Sequence, residues 1–408
     1  MKAMLFLLTI VPLLSGCLSN PPATEPVARQ ESRPQAPDGV AILRPAAAAD
    51  LYEPLFHIVS QGKWGLMDRN GAVVVPMKFD GGRSFGYFAG LETAITSKLI
   101  PAALGGRSVY IDRKGNIAID TQNTQYSGGR KFREGRAVVF SGSGEHRRCG
   151  YIDEEGRVVV KIKYIDCKDF HEGMAAVKEE ETGASLHGYI DRHGEYVIEK
   201  AFYFNHSFSE GLAVVRTPSD YWPDDIRFIN KRGEFAFPKA FTYAEDFSEG
   251  LAYVNTRKER GYINTAGEMV IHLARGTSGQ SGFHEGLAAA FDGKSRKVGY
   301  IDRAGNWHIK PQFVLAREFH EGRAVVHTKE PGGMLTNDVG IIDKNGDWVV
   351  PPQFEHAQDY SHGLARVSIW RKYGKSTHGY IDRDGNYVWG PFRADEPVHD
   401  VVQRNGSQ

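Results

Sequence analysis

Apolar residues along this chain come in short strand-sized bursts, with no helical stripe, and each burst is bounded by glycine, aspartate or asparagine. The run from Phe283 to Gly322 shows the cycle. It reads F-H-E-G-L-A-A-A-F, then V-G-Y-I-D-R-A-G-N-W-H-I-K-P-Q-F, then R-E-F-H-E-G, where it restarts. Short runs rich in β-branched and aromatic residues, punctuated by turn formers, predict strands. In the third cycle the predicted strands are Arg136 to Phe140, Cys149 to Asp153 and Arg157 to Ile162, with Asp153-Glu154-Glu155-Gly156 as a tight turn. Aspartate opening such a turn can accept from backbone amides two residues on, and its glycine supplies a positive φ.

The turn residue recurs at Asp68, Asp112, Asp153, Asp191, Asn230, Asn264, Asp302, Asp343 and Asp382, at intervals of 34 to 44 residues, with glycine three positions later each time. A second marker, an aromatic followed three residues later by glycine, lies between the hairpins. It runs from Phe132 to Gly135, Phe170 to Gly173, Phe208 to Gly211, Phe247 to Gly250, Phe283 to Gly286 and Phe319 to Gly322, with weaker forms at Tyr87 and Tyr360. Glutamate precedes the glycine in the six strong copies: Glu134, Glu172, Glu210, Glu249, Glu285 and Glu321. A fixed period in this range marks a repeat architecture. The expected fold is all-β, nine tandem three-stranded antiparallel meanders in a propeller-like or open superhelical array. Blades with short protected edges favour the propeller, while nine units exceed the usual four to eight blades.

The ends of the chain read differently. Lys2 and the apolar run Leu5 to Leu14 form a secretory signal over residues 1–16, too short to span a bilayer stably. Leu14-Ser15-Gly16-Cys17 resembles the lipobox of bacterial lipoproteins, which implies lipidation of Cys17 and a membrane anchor. Leu18 after the cysteine, in place of aspartate, implies the outer rather than the inner membrane of a bacterial envelope. Residues 17–50, with Pro21, Pro22, Pro26, Pro34, Pro37 and Pro45, form a tether. The repeats occupy residues 51–392, and residues 393–408 form a tail.

The hairpin pattern resembles the bacterial WG (KWG) repeat family, of the form K-W-G-Y-I-D-x-x-G followed by F-x-E-G, over nearly all of the chain beyond the tether. Only Lys63-Trp64-Gly65 keeps the dipeptide; the Trp slot elsewhere holds Cys149, His187, Arg260, Val298, Val339 or His378, and the second and fifth units lack the glycine too. The resemblance implies a β-rich interaction scaffold, often envelope-associated, with no reaction attached.

Composition narrows the partners. Fifty basic and fifty acidic residues cancel, so no charge excess points to nucleic acid. The chain contains no nucleophile elbow, phosphate loop, dinucleotide fingerprint or zinc-protease helix. The repeated turn residues are expected to cap turns, and the repeated glutamates to bond backbone amides in their own loops, because an active site breaks repeat symmetry. His171, His284, His320 and His362 are placed in one slot beside the loop glycine; His284 and His320 belong to adjacent units, where imidazoles could approach a metal, although loop histidines are usually solvated. Cys149 and Cys167 are candidates for a disulfide in an oxidising compartment. Antiparallel counting sets Cys149 opposite about Ile162, so a bridge would need the loop to fold back. Trp222, Trp307, Trp348, Trp370 and Trp389 crowd the later units, as core or as an exposed face for sugar or peptide. The expected function is a membrane-anchored, non-catalytic binding scaffold with an envelope protein or glycan partner and no cofactor or metal. The alternatives are a glycan-acting enzyme and a purely structural envelope subunit.

Overall fold

The computed structural model describes residues 52–81, 94–179, 186–218, 226–329, 338–369 and 376–393. All of them fall in the compact unit Ala47–Gln408. Cys17, the tether, the Tyr87 marker, Trp222, Trp370 and the tail beyond 393 lie outside the described residues. Among the described residues no helix is long and apolar enough to cross a membrane.

Nine small antiparallel sheets follow one another along the chain, one per repeat. Within each, strands lie side by side in chain order. Unit 7 is typical, with Thr277–Gly279, Ala288–Asp292, Lys297–Ile301 and Trp307–Phe313. Six sheets have four strands, because a short leading strand is added to the expected meander. Among the described residues, units 1, 2 and 5 have three. In unit 5 the last strand is reduced to the bridges Ile229–Phe235 and Ile226–Phe241.

In most units the strand that leads into the G-Y-I-D hairpin strand is buried on both faces, as in Ala175-Ala176-Val177, Ala213-Val214-Val215, Ala288-Ala289-Ala290 and Ala324-Val325-Val326. This continuous apolar run, with small residues common in it, follows from sandwiching each sheet between two neighbours. Alternation survives only where one face meets water, as in Trp307–Phe313.

Two ties recur between successive sheets, in the units that carry the tyrosine; Leu66, Phe228 and Ile341 take its place in units 1, 5 and 8. The tyrosine of the G-Y-I-D hairpin is buried and donates its hydroxyl to a carbonyl of the following unit: Tyr110 to Arg130, Tyr151 to Lys168, Tyr189 to His206, Tyr262 to Ser281 and Tyr300 to Arg317, at 2.7 to 2.9 Å. The same ring packs on the marker aromatic of that unit, as Tyr151 on Phe170 and Tyr300 on Phe319. Tyr380 of unit 9 likewise donates across a unit boundary, here to the His57 carbonyl within the first strand of unit 1 at 2.9 Å, and its ring meets Phe56. Phe56, Ile58, Met67, Tyr380, Trp389 and Phe392 share one apolar cluster. The array therefore closes on itself as a nine-blade β-propeller.

The hairpin glycine is explained by the strand that crosses it. In units 1, 3, 4, 7, 8 and 9 the last strand bulges as it passes, for example between Val298–Phe313 and Tyr300–Ile309. A Cβ on Gly299 would stand 2.4 Å from the Ile309 carbonyl oxygen, and on Gly65 it would be 2.2 Å from that of Val75. Unit 2, with Val109 there, and unit 5, with Arg227, lack this crossing bulge; unit 6 lacks it too but keeps Gly261, whose Cβ would stand 1.9 Å from the Ile271 carbonyl oxygen. The tryptophan slot has no such constraint, so it varies while the glycine stays.

Candidate functional site

In a meander the first–second and third–fourth turns emerge at the same end, so the aromatic-x-Glu-Gly loops and the Asp/Asn turns share one face of the ring. At all nine Asp/Asn turns the side-chain oxygen accepts from the amides two and four residues on, as Asp302 does from Ala304 and Asn306 at 2.9 Å. The turn oxygens are thus occupied by the backbone.

The loop glutamates depart from expectation. Each has a left-handed φ of 50° to 55° and precedes a glycine that also has positive φ. This is the two-residue hairpin geometry that asparagine and glycine usually fill. The glutamate bonds the amide of the next unit's loop glycine instead of its own loop: Glu134 to Gly173, Glu172 to Gly211, Glu210 to Gly250, Glu249 to Gly286, Glu285 to Gly322 and Glu321 to Gly363, at 2.8 to 3.0 Å. In five cases a cation following the next unit's turn residue joins it: Arg192, Lys231, Arg303, Lys344 and Arg383, at 2.7 to 3.6 Å. Burial alone would raise the carboxyls of Glu134 and Glu285, but the paired cation and amide outweigh it and hold both below the ordinary range. The glutamates form an inter-unit staple that short turn residues could not reach.

The staple is missing at the seam between units 9 and 1. The glutamate position holds His362, with φ 54°, and Pro54 stands where unit 1 would offer a glycine amide. His362 is therefore not in the slot of His171, His284 and His320, which lies one residue earlier and in unit 9 is Ser361. Arg69, the turn cation of unit 1, has no carboxylate partner among the described residues. A pocket of about 710 Å³ opens here, lined by Tyr52, Glu53, Pro54, Arg69, His362, Gly363, Asp382, Arg383 and Asp384. It joins an exposed aromatic to charges of both signs.

The earlier slot has its own structural use. Ser209 and Ser248 there donate to the carbonyls of Phe247 and Phe283, the marker aromatics of the following units, at 2.7 Å. His284 and His320 turn instead to Glu318, on unit 8 just before Phe319. Their Nε2 atoms lie 3.1 and 3.8 Å from its Oε2, and the two rings are 5.3 Å apart. Contact with Glu318 raises His320, and the two histidines outweigh burial to lower Glu318. His171 is not brought to another histidine; its neighbours in the slot are Arg133 and Ser209. The slot of Glu318 is acidic in four units, as Asp169, Asp246, Glu318 and Asp359, and holds Lys131, Ser207 and Gly282 elsewhere. Only the fold shows its partners.

Cys149 and Cys167 are joined, with Cα atoms 6.1 Å apart. The bulge in the last strand of unit 3 sets Cys149 opposite Tyr164 instead of Ile162, and Cys167 sits in the leading strand of unit 4. The bridge links two blades; no loop folds back. Among the tryptophans, Trp64 and Trp389 are buried, Trp307 is half-buried and packs beside an apolar cluster, and Trp348 is exposed at the edge of Phe313.

Residues 64–87, 150–182, 188–217, 226–258, 299–327 and 340–373 match the WG containing repeat family. The chain is a WG-repeat protein. The six matched WG segments omit the hairpins of units 2, 6 and 9; in unit 2 the glycine is replaced by Val109. No curated protein matches this WG-repeat chain. Solved structures similar to it include a Mycobacterium tuberculosis puromycin-hydrolyzing peptidase, at 11% identity and TM-score 0.36, over 87% of this chain and 56% of the peptidase. Kluyveromyces lactis Hsv2 is similar at 7% identity and TM-score 0.30, over 71% of this chain and 92% of Hsv2. An oligogalacturonate lyase in complex with manganese is similar at 9% and 0.31, over 69% and 84%. The WG-repeat chain thus spans little more than half of the peptidase's length. Likenesses this distant say nothing of what it binds.

Proposed function

We propose that this WG-repeat propeller is a non-catalytic binding scaffold, lipid-anchored through Cys17 in the bacterial envelope, that takes a protein or glycan segment at its seam. The observation that carries this reading is the pocket of about 710 Å³ where the staple lapses between units 9 and 1. Repeat symmetry suffices for stability; a ligand site needs a place where it is broken. Tyr52 offers a flat apolar face, and Arg69, Glu53 and Asp384 offer donors and acceptors of both signs, the mixture that recognises a polar, flexible chain. The six glutamates that could suggest catalysis are each engaged with a backbone amide. The lipobox-like Leu14-Ser15-Gly16-Cys17 and the proline-rich tether support the anchor and a position clear of the bilayer, with the outer membrane favoured by Leu18.

The test is capture of partners from an envelope extract and a peptidoglycan and glycan array by the full-length protein. Saturable binding that Tyr52→Ala and Arg69→Glu each weaken tenfold or more supports the seam reading. Binding indifferent to both substitutions overturns it. Labelling with a palmitate analogue, lost in Cys17→Ser, tests the anchor, and density-gradient fractionation tests the membrane.

A further inference from the structure

We infer that His284, His320 and Glu318 form a binding site for a divalent transition-metal ion, Zn²⁺ being the best fit, between units 7 and 8. Their candidate ligand atoms, two imidazole nitrogens and one carboxylate oxygen, all lie within 4.8 Å of one another. Four ligands around zinc at about 2.0–2.1 Å sit roughly 3.3 Å apart, so the 3.1 and 3.8 Å separations already approximate a coordination shell. Only the remaining pair has to close by a small rotamer change.

Three further observations point the same way. The histidine slot is filled by serine in units 5 and 6, where the hydroxyl ties one unit to the next, so the histidines of units 7 and 8 replace a structural bond with one directed at Glu318. The site spans a unit boundary, where the ring fixes the spacing of both loops. Acidic groups outnumber basic ones around it: Asp359 and Glu285 act on His320, and Glu245 and Glu318 act on each other, against Arg317, 3.2 Å from Asp359, and Lys344, 3.3 Å from Glu285. Such surroundings favour a cation. Two imidazoles with one carboxylate suit a borderline metal better than calcium or magnesium, which prefer all-oxygen shells. With three protein ligands, the fourth position is left for water or for a donor from a bound partner.

The test is calorimetric titration of the full-length protein with Zn²⁺ alone, followed by Co²⁺ and its visible d–d absorption. The expected result is one ion per chain, with binding weakened at least a hundredfold in His284→Ser, His320→Ser and Glu318→Gln, and unchanged in His171→Ser. Serine at these slots is native to units 5 and 6, so the serine variants should fold, as circular dichroism will verify. No stoichiometric Zn²⁺ uptake, or uptake that all three variants retain, overturns the assignment.

Discussion

Replacing Glu285 by asparagine sets two accounts of the loop glutamates against each other. If the residue were there only to make a turn, Glu285→Asn would stabilise the protein, since Asn-Gly is the preferred pair for this hairpin and asparagine tolerates the φ of 51° better by a few tenths of a kcal/mol. The staple account predicts the opposite. Asparagine is one methylene too short to hold the Gly322 amide at 2.9 Å and pair with Lys344 at 3.3 Å. A bond to a charged acceptor contributes about 1.5–3 kcal/mol when buried. The Glu285 side chain is 32% exposed, so roughly half of that survives screening, and the ion pair adds about 0–1 kcal/mol. Net of the turn preference, a loss of about 1 kcal/mol is expected. With a urea dependence of roughly 3 kcal/mol/M or more for a domain of this size, the unfolding midpoint should fall by about 0.3 M. A double-mutant cycle with Lys344→Met should return a coupling of about 0.2–1 kcal/mol. A Glu285→Asn protein as stable as wild type, with no coupling to Lys344, would refute the staple.

Other outcomes follow from the same geometry. Tyr380→Phe and Tyr300→Phe should each cost about 1 kcal/mol in urea unfolding, because each removes one inter-unit hydroxyl bond; a silent Tyr380→Phe would mean the ring is open. Gly299→Ala should cost about 3 kcal/mol or prevent folding, since its Cβ meets a backbone oxygen, whereas Gly286→Ala, with open space but φ of 83°, should cost about 1–2 kcal/mol. Reduction of the Cys149–Cys167 bridge, which spans 18 residues and joins two blades, should lower stability by about 3 kcal/mol, read as a dithiothreitol-dependent melting shift with thiols counted by mass spectrometry. Glu134 and Glu285 have folded pKa values below their unfolded ones, so their contribution is fully present above the ordinary carboxylate range. It is lost as pH falls from that range through the depressed folded values, and Glu285→Gln should flatten this part of the stability–pH curve.

The strand content, the unit count and the turn chemistry were legible in the sequence because they depend on local rules. Asp302 caps its own turn, and Gly305 needs no distant partner to explain its positive φ. What tertiary structure decided is everything that depends on one unit meeting another. Ring closure rests on Tyr380 finding His57, across 323 residues. Counting from the turn placed Cys149 opposite Ile162; the crossing bulge sets it opposite Tyr164, close enough to Cys167 for a bridge. The loop glutamates looked self-contained because the repeat displays each with its own glycine, while the carboxylate reaches the glycine one unit on. Glu318 was missed although its slot is acidic in four units, because only the packing of unit 8 against unit 7 brings it to His284. Periodicity records what every unit shares. Lateral contacts between sheets, and the places where one unit differs from the next, depend on distances that no single period encodes.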